Sequence, residues 1–122
     1  MSRKQIEPQG GRAALRAWAE GETSRSVTAT AVRYTLQLLS EQHPGGAVEV
    51  RVPPYGVTQA IAGVRHTRGT PPAVVECDPQ TWLELALGNV SWADAVGAGR
   101  VSASGERSDL GDKLPLIGRN AA

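Results

Sequence analysis

Few side chains in this sequence are suited to nucleophilic or acid–base chemistry. The chain of 122 residues contains one cysteine, Cys77, and two histidines, His43 and His66. Metal sites need three or four convergent ligands, and neither C-x-x-C nor H-x-x-x-H spacing occurs. The Ser-Ala-Ser-Gly segment at 102–105 lacks the G-x-S-x-G pattern of a nucleophile elbow, and no G-x-G-x-x-G or Walker loop is present. The sequence therefore predicts a protein that is not an enzyme, with no metal, cofactor or catalytic residue.

Two polar features still merit a chemical interpretation. Cys77 precedes a predicted helix start, where the helix dipole would favour a thiolate, but the neighbouring Asp78 opposes that effect. We interpret Cys77 as a small apolar residue that closes a strand. Arg65, His66 and Arg68 lie in a stretch, 63–75, without any acidic residue. These three side chains are candidates for binding an anionic head group or carboxylate, and the alternative is a solvated connection between strands.

The charge balance and the apolar runs exclude several classes of partner. Thirteen Lys and Arg against twelve Asp and Glu give a net charge of +1, far from the basic excess of proteins that bind nucleic acid. A lone cysteine favours a reducing compartment. The N-terminus lacks the apolar region of a secretory signal, and no run reaches the ~18 apolar residues of a membrane span. We therefore expect a cytoplasmic protein with no stable membrane insertion and no nucleic-acid partner.

Length and composition predict one domain built from short elements. A single hydrophobic core accounts for 122 residues, and 14 Gly with 8 Pro favour many turns. We expect tails at 1–7 and 118–122 and one domain at 8–117. A first helix opens at Pro8, and a longer one is capped by Ser24 or Ser26 and stopped by the His-Pro-Gly-Gly run at 43–46.

Period-two alternation of apolar and polar residues then predicts four strands, at 47–52, 55–62, 73–77 and 100–104. The second of these strands is ambiguous. Gln59 shares its predicted inner side with Val57 and Ile61, which requires either a hydrogen-bonded Gln59 in the interior or a bulge.

Three further helices are predicted in the second half of the chain. Asp78 and Ser91 are suitable N-caps for the first two, and Ser108 for the last, in which Leu110 and Leu114 are spaced i, i+4. The resulting order is ααβββααβα. It predicts an α+β fold in which helices cover one face of a sheet.

The larger apolar side chains of the second half allow two interpretations. The chain has three Trp, two Tyr and no Phe, so each large ring should cover a broad surface. Trp82 and Trp92 either fill the core or belong, with their neighbours, to the lid of an apolar cavity between sheet and helices. The candidate cavity residues are Trp82, Leu85, Ala86, Trp92, Val96, Val101, Leu110, Leu114 and Ile117.

Several runs in a fixed order give the chain a resemblance to a known family. They are W-L-E-L-A-L-G at 82–88, S-W-A-D-A-V at 91–96 and G-R-V-S-A-S-G at 99–105, with upstream pieces at 31–36, 48–54 and 66–72. These runs resemble sterol carrier protein type 2 domains, in particular a stand-alone actinobacterial branch. The resemblance covers about residues 8 to 117.

The resemblance implies a mostly antiparallel sheet of about five strands, the fifth within 64–70, and an apolar tunnel. It implies a non-catalytic binder of an apolar small molecule or lipid, such as a sterol, fatty acyl chain or acyl-CoA. The C-terminal Arg-Asn-Ala-Ala is not a peroxisomal Ser-Lys-Leu signal. An alternative function is a protein-interaction or homodimerisation module with a collapsed cavity. A less favoured one is an accessory domain like that of thiol-dependent isomerases, whose metal-binding helical bundle has no counterpart here.

Overall fold

The computed structural model describes residues 5–63, 73–105 and 108–117. Within these ranges, helices and strands alternate in blocks, as expected for an α+β fold. The elements are α1 (Pro8–Ala19), α2 (Arg25–Gln42), β1 (Val48–Val52), β2 (Gly56–Ala60), β3 (Ala73–Cys77), α3 (Pro79–Leu87), α4 (Trp92–Gly97) and β4 (Val101–Ser104). The predicted α+β class is confirmed.

The helices begin and end where short-range chemistry predicts. Ser24, Asp78 and Ser91 each accept a hydrogen bond from the backbone N–H three residues further on. Gly88 ends α3 with a φ of 80°, in the left-handed region that glycine adopts without strain. The longest helix, α2, has 18 residues, and no helix in the described ranges is both long and apolar enough to cross a bilayer.

The sheet is mixed, and the described ranges contribute four strands to it in the order β2-β1-β3-β4. The central strands β1 and β3 are parallel, while β2 and β4 pair with them antiparallel at the two edges. The four strands predicted from the residues are all present in this part of the chain, and the family's expected fifth strand is not among the described residues. The fifth strand was placed within 64–70, which lies outside the described residues.

One face of the sheet carries the core. Along β1, Val48, Val50 and Val52 are fully buried, and in β3 every second residue from Ala73 to Cys77 is buried as well. The residues between them are exposed or half-buried. Buried side chains of α1, α2 and α3 belong to the same apolar cluster. The helices therefore pack on one face, as predicted, and polar side chains occupy the other.

Strand β2 corrects the predicted orientation of its side chains. Ala60, which pairs with the buried Val48, is itself buried, whereas Gln59 is exposed. The register between β1 and β2 is continuous over the five pairs, so β2 contains neither an interior glutamine nor a bulge. Ile61 lies beyond the strand with a φ of 72°, and its side chain therefore does not continue the alternation.

The predicted helix after Ser108 is wrong: residues 108–117 form turns, bends and irregular structure. The Ser108 hydroxyl donates to the carbonyl of Gly105 at 3.1 Å instead of capping a helix. Asp109 Oδ1 accepts a hydrogen bond from the N–H of Gly111 at 2.7 Å, an Asx turn that competes with helical hydrogen bonding. Pro115 supplies no N–H to a helix.

This C-terminal segment is held in place by hydrogen bonds to α2 and α3. The backbone N–H groups of Leu116 and Ile117 both donate to the carbonyl of Ala86, at 2.9 and 3.2 Å. Gln42, at the end of α2, donates from Nε2 to the carbonyl of Leu116 at 3.4 Å. Leu110 and Leu116 are consequently buried although neither lies in a helix.

Candidate functional site

The nine predicted cavity residues lie in and around a filled core. Trp82, Leu85, Ala86 and Leu110 are at most 1% exposed, and Val101 is 9% exposed. Three others are half-buried against this core, namely Trp92, Leu114 and Ile117. Val96 is 42% exposed and points away from it. The structure therefore brings eight of these residues to the core or its margin, and none of the nine lines the grooves described below.

Trp82 connects α3 to α2 through a buried polar contact. Its indole Nε1 donates to the hydroxyl oxygen of Thr35 at 2.8 Å, and both residues are fully buried. The Thr35 hydroxyl in turn lies 2.8 Å from the carbonyl of Ala31 and 2.9 Å from that of Val32. The indole N–H of Trp82 and the hydroxyl of Thr35 are thus both hydrogen-bonded, as is the rule for buried polar groups. This arrangement leaves Trp82 in a structural role.

The basic candidates Arg65, His66 and Arg68 lie outside the described residues. Their role as ligands for an anionic head group therefore stays a prediction from the sequence.

Cys77 is unsuited to nucleophilic chemistry. Burial and, next, the negative charge of Asp78 raise the pKa of the thiol to about 12, an effect that Arg100 offsets only in part. At neutral pH the side chain is therefore the neutral thiol, a small hydrophobe with low reactivity. This agrees with its interpretation as the apolar end of a strand.

A polar network joins the start of α3 to the start of β4. Thr81 donates its hydroxyl to Asp78 Oδ1 at 2.6 Å and its backbone N–H to Asp78 Oδ2 at 3.1 Å. Arg100 donates from Nε to Thr81 Oγ1 at 3.2 Å, and its Nη2 forms an ion pair with Glu84. Partial burial works to raise the pKa of Asp78, but the bonds from Thr81 and the charge of Arg100 hold it below its usual value.

Substituting Asp78 with Ala is expected to lower the free energy of unfolding by about 1 kcal/mol at pH 7, because α3 loses its N-cap. The folded-state pKa of Asp78 lies below the ordinary 3.8. Its stabilisation is therefore present above that pH and is lost as the pH falls through the lower folded value. Urea unfolding from pH 7 to pH 2.5 should show the gap between wild type and variant closing in acid. Asp78→Asn, which keeps a cap acceptor without the charge, should show a smaller gap at pH 7, and this gap should fall in acid by the same amount because the titrating group is the wild-type carboxylate.

A groove lies between α2 and the edge strand β2. It has a volume of about 860 Å³, within the ~300–1,000 Å³ range of small-molecule sites. The groove is partly open to solvent. Its described lining residues are Gln5, Ile6, Thr30, Arg33, Leu36, Gln37, Ser40, Tyr55, Gly56, Val57 and Thr58.

The walls of this groove, hereafter the α2–β2 groove, differ in chemistry. The α2 wall carries Thr30, Arg33, Gln37 and Ser40, whose spacings of three and four residues place them on one side of the helix. The remaining lining is largely apolar or aromatic, with Ile6, Leu36, Val57 and the ring of Tyr55. An apolar surface beside a few polar groups is the usual composition of a ligand site.

The N-terminal segment is held against this groove by a reciprocal pair of hydrogen bonds. The backbone N–H of Ile6 donates to Gln37 Oε1 at 3.0 Å, and Gln37 Nε2 donates to the carbonyl of Ile6 at 3.0 Å. Ile6 is half-buried and packs against the core. The tail predicted for residues 1–7 thus has ordered contacts at position 6, before α1 begins.

Arg33 is oriented by the strand on the other side of the groove. Its Nε donates to the carbonyl of Tyr55 at 2.9 Å. Of the described residues that line the groove, Arg33 is the single one with a formal charge. The lining therefore carries a positive charge without an acidic neighbour to neutralise it.

A second, shallower groove lies on the polar face of the sheet, with a volume of about 490 Å³. Its charged lining residues are Glu49, Arg51 and Glu76, and the Pro53-Pro54 turn forms one end. Arg51 Nε pairs with Glu49 Oε2. Because Arg51 is already paired and the lining holds more acid than base, this groove is less suited to an apolar or anionic ligand than the first.

A comparison with family models matches residues 24–116 to a family described as bacterial SCP ortholog. The match covers well over half of the 122 residues. The chain belongs to this family. This bacterial SCP ortholog is thus sterol carrier protein-like, as its motifs indicated. A comparison with curated proteins finds no match.

The matched region of this bacterial SCP ortholog includes both principal walls of the α2–β2 groove. It starts at Ser24, the cap of α2, and ends at Leu116, which is bonded to α3. The Ile6 segment lies before the matched region. The part of the groove lining that the Ile6 segment contributes therefore lies outside the residues that the family model matches.

Sequence reasoning missed the α2–β2 groove, although one signal for it was present. Polar residues at 30, 33, 37 and 40 recur on one side of an otherwise well-buried helix. Such a polar stripe is usually solvent-facing, and its position beside the edge strand depends on tertiary packing. No feature of the sequence pairs that stripe with residues 55–58.

Proposed function

We propose that this bacterial SCP ortholog is a non-catalytic carrier of an apolar small molecule or lipid, which binds in the α2–β2 groove. The observation that carries the proposal is a groove of about 860 Å³, with an apolar surface and a polar helix wall, in a chain of this family. The described groove lining contains no Cys, His, Asp or Glu, so hydroxyl groups such as that of Ser40 have no His or carboxylate base beside them in this lining.

Binding in this groove would be driven mainly by burial of hydrocarbon. Apolar surface removed from water contributes about 25 cal/mol per Å². Leu36 and Ile6 supply such surface in the groove. The polar residues of α2 would then orient the ligand and contribute less to affinity.

A second candidate function is a protein-interaction or dimerisation module. The observation in its favour is the filled core around Trp82, where a tunnel was expected, together with the exposed Val96 on α4. An apolar residue on a short helix of small side chains permits close approach of a partner. In this case the α2–β2 groove would be a surface feature without a ligand.

Substitution of Ser40 with Trp is expected to obstruct the α2–β2 groove and to weaken ligand binding at least about tenfold, or ~1.4 kcal/mol. Ser40 lines the groove and is half-buried. The matched control is Ser26→Trp, which places the same ring on an exposed position of the same helix. Binding of tetradecan-1-ol, tetradecanoate and cholesterol to delipidated protein is measured by isothermal titration calorimetry.

Binding of any of the three ligands that weakens in Ser40→Trp and not in Ser26→Trp supports the carrier function. Equal weakening in both variants, or none in either, would place the ligand elsewhere and contradict the assignment of this groove. Native mass spectrometry provides the second readout. A dimer that binds none of the ligands would favour the interaction module.

A further inference from the structure

The α2–β2 groove has an electrostatic asymmetry that bears on ligand choice. Arg33 is the one charged side chain among its described lining residues. Neither an ion pair nor a hydrogen bond to a carboxylate involves Arg33 within the described ranges. A cation beside apolar surface, without a neighbouring acid, favours an amphiphile whose polar end is negative.

The guanidinium of Arg33 is also pre-oriented. Its Nε is engaged by the carbonyl of Tyr55 at 2.9 Å, which ties the side chain to the β2 side of the groove. Arginine presents five N–H donors in a planar fork, so four N–H donors, on the two terminal nitrogens, remain for a ligand. These two terminal nitrogens match the spacing of two carboxylate oxygens.

Two hydroxyl groups of the groove lining add neutral donors. Thr30 precedes Arg33 by three residues on the same side of α2, and Thr58 lies on the opposite wall. In the described part of the chain neither hydroxyl takes part in a hydrogen bond. Gln37, by contrast, is committed to Ile6 through both ends of its amide. The donors available to a ligand therefore cluster toward the Arg33 end of the polar stripe.

We propose that Arg33 anchors the carboxylate of a single-chain amphiphile in the α2–β2 groove and makes the protein select long-chain carboxylates over neutral alcohols and sterols. This inference rests on the proposed function, since it assigns the head-group contact of the same site. The hydrocarbon chain lies against Leu36 and Ile6. Arg33 acts as a specificity-determining residue, with Tyr55 as the residue that positions it.

The test compares two ligands of equal chain length, tetradecanoate and tetradecan-1-ol, at pH 8 and below the concentration at which either aggregates. Wild type is expected to bind tetradecanoate about fivefold more tightly than tetradecan-1-ol. This factor corresponds to ~1 kcal/mol, the contribution of the strongest exposed ion pairs. Arg33→Gln should remove this preference, because tetradecanoate binding falls further than tetradecan-1-ol binding. Arg25→Gln, an exposed arginine on the same helix, is the matched control and should retain the preference. Raising NaCl from 0.05 to about 0.5 M should shrink the preference in wild type.

The outcomes separate this inference from the proposed function. Binding of both ligands with equal affinity, or a preference that survives Arg33→Gln, overturns the anchor and leaves the carrier function standing. A preference that is lost in an Arg65→Gln, Arg68→Gln double variant and kept in Arg33→Gln overturns it in favour of the basic stretch. If neither tetradecanoate nor tetradecan-1-ol binds, the anchor is overturned, and the carrier function is overturned with it when cholesterol also fails to bind.

Discussion

Substituting Trp82 with Ala is expected to lower the free energy of unfolding by about 3–5 kcal/mol, the range for truncating a large aromatic in a packed core. Trp82 heads the fully buried side chains by volume. It packs in a cluster that includes buried residues of α2, α3 and the central strands. Since typical domains are stable by only ~5–15 kcal/mol, this variant should unfold well below the midpoint of the wild type in urea.

Part of this loss comes from the hydrogen bond to Thr35. Trp82→Phe retains most of the apolar surface but leaves the Thr35 oxygen without its indole donor, at a cost of about 1–3 kcal/mol. Thr35→Val removes the acceptor and leaves the indole N–H unpaired. The double variant Trp82→Phe, Thr35→Val should cost less than the two single costs added together.

The matched control for Trp82 is Trp92→Ala. Trp92 is half-buried at the margin of the core, so its truncation leaves a smaller cavity. Urea unfolding followed by far-UV circular dichroism compares the variants without relying on the tryptophans themselves. If Trp92→Ala proved as destabilising as Trp82→Ala, the region around Trp82 would be less tightly packed than described here.

The second large effect is expected for Gly11→Ala, which should destabilise the fold by about 1–3 kcal/mol, as overpacking does. Gly11 is buried, and a Cβ placed there would overlap the ring of Tyr34, including its Cγ atom. Tyr34 is itself only 3% exposed and cannot turn away freely. The two helices α1 and α2 must therefore separate to admit the methyl group. Thermal unfolding gives the cost directly.

The neighbouring Gly10 provides the control for this substitution. A Cβ at Gly10 meets no atom within 4 Å, and the residue is exposed. Gly10→Ala should stabilise the protein by about 0.5–1 kcal/mol, because alanine has the higher helix propensity. Stability changes of opposite sign at Gly10 and Gly11 would separate the effect of the contact with Tyr34 from the effect of helix propensity. Stabilisation by both substitutions would contradict the close approach of α1 to α2.

The parts of the fold that the sequence predicted are those set by short-range chemistry. Ser24, one of two candidates with Ser26, and the caps Asp78 and Ser91 placed the starts of three helices to within two residues. Strands β1 and β3 followed from alternating β-branched residues. The predicted helix after Ser108 rested on two leucines at helical spacing. An Asx turn at Asp109 and backbone hydrogen bonds to α3 determine the conformation of this segment instead.

The site was harder to predict because it arises from tertiary placement. Apolar residues such as Trp82 and Leu85 indicate burial equally well in a core and in a cavity wall, and here they form a core. The α2–β2 groove instead depends on how far α2 lies from the edge strand. Arg33 carries no motif, and its contact with Tyr55 spans 22 positions of sequence.

Gln37 holds Ile6 through backbone atoms, so the attachment of this segment to α2 does not depend on the side chain at position 6. Both hydrogen bonds reach the main chain of Ile6, so they are indifferent to which side chain stands at that position. A substitution at position 6 thus alters the shape and polarity of a groove wall while its fastening to α2 is preserved. Under the proposed function, single changes at position 6 would therefore adjust the range of ligands without loosening the segment, and this position is the one to vary in a selection for new ligands.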